Sequence, residues 1–154
     1  TAALFESCAV IGAKAGKASH SDIEAAKMFG QRIGIIFQIR DDIFDYYDSK
    51  EIGKPTGNDM LEGKLTLPII YALKSTGNKE MTTLAMKVKE GTVTADEIAQ
   101  LVAFAKESGG IEYAEKKMLE FHSEALQFIS NCVHNEAIAS ALKAYLDFVI
   151  QRKN

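Results

Sequence analysis

"RIGIIFQIRDDIFDYY", residues 32–47, decides how the rest of the chain is read. Its apolar residues point in nearly every direction around a helical wheel, and almost nothing in it alternates with period two. The stretch therefore reads as an α-helix buried in the middle of a bundle rather than as a strand. No breaker interrupts the pattern back to "SDIE", residues 21–24. There Ser21 and Glu24 have the spacing of a capping box, in which each side chain satisfies a backbone amide of the other's residue. The helix is expected from residue 21 to about residue 48, roughly 40 Å long at 1.5 Å per residue. Gly30 and Gly34 inside it leave room for a neighbouring helix to come close, which is a packing feature and carries no functional weight.

Glycine and proline punctuation divides what lies on either side. A first helix is expected over residues 1–17, with Leu4, Cys8, Ile11 and Ala15 along one face. Residues 49–66 read as a loop rich in Gly, Lys and Asp. Pro68 suits the first turn of the following helix, "LPIIYALK", which stops near Gly77. Further helices are expected at 79–90, from the capping box "TADE" at Thr94–Glu97 to Gly109 and Gly110, at 111–131 and at 135–151. The fold class is all-α, and residues 1–154 form part of one domain without internal repeats or a linker. The opening "TAALFESCAVIGAKAG" reads as the interior of a helix, so a fragment is expected.

With 154 residues, 47% hydrophobic and 25% charged, the chain has the composition of an ordinary globular domain. A net charge of −3 and a pI near 5.6 exclude general electrostatic attraction to nucleic acid or to an anionic membrane surface, so charge chemistry must be local. Cys8 and Cys132 lie far apart and match no zinc spacing, which fits free, mostly buried thiols in a reducing cytoplasm. No apolar run approaches the roughly 18 residues of a membrane span, and no charged-then-apolar leader opens the chain. His122 and His134 have no second ligand at i+3 or i+4 and read as surface residues rather than metal ligands.

The acidic cluster in the opening stretch needs another account. On a helix Asp41 and Asp45 stack on one face, and Asp42, turned about 100° away, leans toward the same opening. Like charges this close repel, and carboxylates at the C-terminal end of a helix also oppose its dipole. A hard divalent cation removes both costs, and an all-carboxylate, water-rich ligand set favours Mg²⁺ over zinc or copper. A calcium EF-hand starting at Asp48 is rejected, because Lys50 and Ile52 fall where oxygen ligands are required. Lys54 and Lys64, each preceded by glycine, bring the opposite charge. Acids and ammonium groups around one cavity suit a polyanion that carries magnesium, and a diphosphate is the simplest such ligand.

The string "GIIFQIRDDIFDYYDSKEIGKPTGNDMLEGKLTLPIIYAL", residues 34–73, resembles the second aspartate-rich region of the all-trans polyprenyl diphosphate synthases. In order, it carries Phe-Gln, DDxxD, Gly-Lys, a later aspartate and a second Gly-Lys before a Thr/Pro helix. "TAALFESCAVIGA" is similar to that family's Lys-Thr helix joined just after its lysine, and "SGGIEYAEKKM" and "YLDFVIQRKN" to its closing helices. The resemblance implies a helical bundle of the isoprenoid synthase type, of which this chain is the C-terminal half, and a homodimer. It also implies a Mg²⁺-assisted prenyltransferase in which an allylic diphosphate ionises and isopentenyl diphosphate attacks the resulting cation. Asp41 then holds a magnesium ion, and Asp42 and Asp45 bind it directly or through water. Lys54 and Lys64 neutralise the departing diphosphate. Thr1 and Gln38 line the path of the cation and Phe37 lies beside the isopentenyl site, so that Lys54, Gln38 and Thr1 carry catalysis. Asp59 matches a loop acid, and Arg40 pairs with a neighbouring carboxylate.

The chain departs from the family pattern in having a single DDxxD, no lysine before Thr1, and none of the family's basic residues for isopentenyl diphosphate. The fragment alone is therefore expected to be inactive. The alternatives are a class I terpene cyclase, whose second metal motif uses Asn, Ser or Thr and Glu, and a non-catalytic helical subunit of a synthase. "FQIRDDIFDYY" and "YALK" lean toward a long-chain, octaprenyl-type product.

Overall fold

In a computed structural model the described residues are 1–47 and 56–152. They form α1 (Ala2–Ala15), α2 (His20–Phe44), α3 (Asn58–Leu61), α4 (Leu67–Thr76), α5 (Lys79–Glu90), α6 (Ala95–Glu107), α7 (Gly110–Cys132) and α8 (Glu136–Gln151), with no strand among them. The chain's described residues divide into two compact units, one of residues 1–40 and 117–152, the other of residues 41–47 and 56–116.

In the first unit, α1 lies against α2 at the two glycines. A Cβ on Gly34 would stand 2.5 Å from the Ala2 Cα, and one on Gly30 would stand 2.7 Å from the Phe5 carbonyl oxygen. The small residues thus permit backbone contact, as their spacing implies. The face of α1 turned to α2 carries Ala2, Phe5, Glu6 and Ala9, and the stripe of Leu4, Cys8, Ile11 and Ala15 is exposed. Gln31 donates to Glu6 at 2.7 Å and Lys27 lies 3.7 Å from the same carboxylate, so a polar contact helps choose the buried face. Phe29 of α2 stacks on Phe128 of α7 at 4.6 Å, and Arg32 pairs with Glu124.

Burial along α2 is narrower than its composition implies. Phe29, Ile33, Ile36, Ile39, Ile43 and Tyr46 are buried at three- and four-residue spacing, whereas Met28 and Gln38 are exposed. The helix also starts and stops earlier than expected. Its N-terminal cap is Ser19 rather than Ser21: the Ser19 hydroxyl accepts from the Asp22 amide at 3.2 Å and donates to the Asp22 carboxylate at 2.7 Å. At the other end the amides of Tyr46 and Tyr47 bond to the carbonyls of Ile43 and Phe44, three residues back, which tightens the last turn.

The second unit packs α4 and α5 on α6. Ile69 and Ala72 of α4, Val88 of α5, and Leu101 and Ala105 of α6 are fully buried, and Tyr71 of α4 stacks on Tyr113 of α7 with centroids 4.0 Å apart. Pro68 occupies the first turn of α4, and the Thr94–Glu97 capping box is present on α6. Glu97 also pairs with Lys87 of α5. That ammonium first, and then the Thr94 amide, hold the Glu97 carboxyl below the ordinary range. Stability contributed by this pairing is present above the ordinary glutamate value near 4.3 and is lost as pH falls through the lower folded value. Thr94→Ala is expected to cost about 1 kcal/mol of stability in urea denaturation, with the difference from wild type shrinking under acid as Glu97 takes a proton.

The short helix α3 interrupts the region expected to be an uninterrupted loop. Its N-cap, Gly57, has φ of +79°, a left-handed conformation that side chains resist.

Candidate functional site

The acids expected to share one cation have different surroundings. Asp41 and Asp42 are half-buried on the last turns of α2. Asp45 lies just past the helix and faces α3. Its carbonyl accepts from the Gly57 amide at 2.8 Å, its Oδ1 from the Asn58 amide at 2.9 Å and its Oδ2 from the Asp59 amide at 3.0 Å. One residue thus takes three successive amides at the start of α3. Burial pushes the Asp45 carboxyl above the ordinary carboxylate range. The Asp59 amide pulls it back, and the Asp59 and Glu62 charges push it up again. Among the described residues no three Asp, Glu, His or Cys side chains gather as a group that could hold a metal ion.

Lys64 follows α3 and is tied to it. Its amide donates to the Asp59 carbonyl at 2.8 Å, and its Nζ lies 2.6 Å from Glu62 and 3.7 Å from Asp59. The ammonium is exposed, and the Glu62 hydrogen bond raises its pKa. Lys89 of α5 donates to the Gly63 carbonyl at 3.0 Å, fixing the turn just before Lys64. Asp59, singled out as a loop acid, is therefore the partner of Lys64 and sits on the helix that Asp45 caps. Lys54 lies outside the described residues, as does Asp48.

Tyr46, next after Asp45, is buried. It is 1% exposed, and its hydroxyl lies 3.1 Å from the Thr66 Oγ1. Burial drives its pKa far up, with the Asp45 and Asp42 charges adding to the effect. The phenol stays neutral and serves as a packed, hydrogen-bonded anchor.

The remaining candidates belong to the first unit. Thr1 is exposed at the N-cap of α1, and Gln38 is exposed on α2. Phe37 is half-buried, 5.5 Å from Phe5 between centroids, and the Arg152 guanidinium lies 3.9 Å from its ring centroid. Arg152 also donates from Nη2 to the Phe37 carbonyl at 3.2 Å, and Arg40 donates from Nη2 to the Arg152 carbonyl at 3.1 Å. Arg40 thus reaches the residue that caps α8. His122 is half-buried, with Nε2 2.9 Å from Asp147 Oδ1 of α8, so it is not the solvated residue its sequence neighbours imply. Arg152 and Asp147 gave no local signal because their partners lie 115 and 25 residues away.

The family model described as polyprenyl synthetase matches residues 1–105, which include DDxxD, Asp59 and Lys64. The chain belongs to the polyprenyl synthetase family. Over 99% of its length the chain is 37% identical to a geranylfarnesyl diphosphate synthase from Aeropyrum pernix, of which the match covers 47%. A crystal structure of geranylgeranyl pyrophosphate synthase from Bacteroides thetaiotaomicron superposes with a TM-score of 0.93 at 49% identity, over 99% of this chain and 50% of that one. A polyprenyl synthase from Caulobacter crescentus, solved with calcium and isoprenyl diphosphate, gives a TM-score of 0.84 at 25% identity over 100% of this chain and 47% of its own. The chain spans about half the length of the curated relatives it matches, for example 47% of the first. The fold is the all-α isoprenyl synthase fold, and the relatives are prenyl diphosphate synthases, which leaves the cyclase and regulatory-subunit alternatives unsupported. Their named products differ in length, so likeness alone assigns no octaprenyl product. Among the described residues no helix is long and apolar enough to cross a membrane.

Proposed function

We propose that this chain supplies the second aspartate-rich half of the active site of an all-trans polyprenyl diphosphate synthase, which joins an allylic diphosphate to isopentenyl diphosphate. The observation that carries the reading is the ordered string of DDxxD, Asp59 and Lys64 on one compact unit of a polyprenyl synthetase. Asp41 and Asp42 fit magnesium in donor chemistry: the ion commonly takes one or two protein carboxylates and completes its shell with water and substrate phosphates, so a cage of three side chains is not required. When bound, Mg²⁺ supplies positive charge to a diphosphate leaving group.

Lys64 adds a cation for the same diphosphate, and its present partners, Asp59 and Glu62, keep the ammonium protonated until a phosphate displaces them. Lys54 serves the same end. Gln38 and Thr1 face the allylic cation with polar groups, and Phe37 belongs to the isopentenyl side. The enzyme works as a cytoplasmic homodimer, for which the exposed Leu4, Cys8 and Ile11 of α1 offer apolar surface. The calcium and isoprenyl diphosphate named for the Caulobacter relative support a divalent cation with a prenyl diphosphate at this fold.

Calorimetry of the chain with inorganic pyrophosphate tests the reading. Uptake is expected with Mg²⁺ present and is expected to vanish when EDTA removes it. Equal uptake under both conditions, or none under either, rejects the metal–diphosphate assignment.

A further inference from the structure

The third acid of the DDxxD motif is bonded to the backbone of α3. Both carboxylate oxygens of Asp45 receive amides of α3, and its carbonyl receives a third, from Gly57. Each carboxylate oxygen of Asp45 thus already spends a lone pair on a backbone amide, which leaves less of it for a cation. No other described acid joins it to make a three-residue metal group.

What Asp45 holds then matters. Asp59, whose amide it binds, accepts the Lys64 amide through its own carbonyl at 2.8 Å and faces the Lys64 ammonium at 3.7 Å. Met60, 2% exposed, and the bond from Lys89 to the Gly63 carbonyl fix the segment between them. The connection from the motif to the lysine runs through Asp45, the α3 backbone and Asp59.

We propose that Asp45 is a positioning residue, a strut that caps α3 and thereby sets Lys64 for the diphosphate, and that magnesium is held by Asp41 and Asp42 without it. This rests on the diphosphate reading above. Asp45 acts through Lys64, so its effect on diphosphate uptake exists only while Lys64 is present.

The test uses the whole chain with Asp45→Asn, Asp41→Asn, Lys64→Ala and the Asp45→Asn/Lys64→Ala pair. Amide exchange at Asn58 and Asp59 is expected to quicken about tenfold in Asp45→Asn, the effect of one lost hydrogen bond, and to stay unchanged in Asp41→Asn. Mn²⁺ affinity, read by paramagnetic relaxation, is expected to stay within about twofold of wild type in Asp45→Asn and to collapse in Asp41→Asn. Uptake of magnesium pyrophosphate by the pair should match that of Lys64→Ala alone.

Loss of Mn²⁺ in Asp45→Asn, or additive losses in the pair, overturns the proposal. A wild-type chain that takes up no pyrophosphate overturns the diphosphate reading and the role toward Lys64 together, whereas unchanged exchange at Asn58 and Asp59 overturns the strut alone. Should Asp45→Asn fail to fold, Asp45→Glu replaces it: the longer acid keeps a ligand's charge and mismatches the two amides, so the same exchange and Mn²⁺ readings separate strut from ligand.

Discussion

Asp41→Asn is expected to weaken magnesium-dependent pyrophosphate uptake about 100-fold or more, because changes even one shell beyond a metal's ligands cost 10- to 100-fold. The substitution keeps the size and helix position of the side chain and removes its charge, so the helix should melt as in wild type. Asp41 sits on α2 between buried neighbours, Ile39 and Ile43, which fix where its backbone lies. The amide of Asn retains one neutral oxygen, a poor partner for a hard dication whose attraction to oxygen is mostly electrostatic. Calorimetric titration of pyrophosphate at saturating Mg²⁺ measures the effect. An Asp41→Asn chain that binds within about twofold of wild type removes Asp41 from the metal site, given that independent sites add to within a few tenths of a kcal/mol. Lys64→Ala should weaken uptake less, since its ammonium is exposed and already shared with Glu62 and Asp59.

Gly57→Ala is expected to destabilise the second unit by about 2–4 kcal/mol, the sum of a left-handed backbone penalty and overpacking. The φ of +79° is one part of the cost. The other is space: a Cβ at residue 57 would stand 2.3 Å from the Cγ2 of Ile98, a branched and stiff side chain only 4% exposed on α6. Gly91, with φ of +70° and nothing within 4 Å of its would-be Cβ, provides the control. Gly91→Ala carries the backbone term alone, about 1–2 kcal/mol. Urea denaturation with unchanged slope reads both. Equal losses in the two variants would show that α3 moves away from α6 at little cost, and that the anchoring of the Lys64 segment is softer than its contacts imply.

Most of the helical framework was legible because its signals are local. Pro68 marks the start of α4 through its missing amide, and Thr94 and Glu97 satisfy each other's backbone within one turn. Readings failed where two local solutions competed. Ser19 and Ser21 both precede acids at capping distance, and the turn selected Ser19. On α1 Leu4 and Ile11 lie on the exposed stripe, and Ala2 and Ala9 face α2 because Gly30 and Gly34 admit a close backbone approach. α3 was missed because four residues between glycines give no periodicity to read.

The candidate site divides along the same line. Residue types and their order were enough to determine an all-helical chain, its kinship with the polyprenyl synthetases, and the placing of DDxxD, Asp59 and Lys64 on one stretch, because side-chain chemistry and spacing are written in the chain itself. Only the tertiary structure decided that Asp45 turns to the amides of α3, that Asp59 stands beside Lys64, and that Arg152 and Asp147 reach back to Phe37 and His122. Those choices depend on which buried amide or aromatic face lies within hydrogen-bonding reach once distant segments have packed, and sequence spacing does not encode that distance.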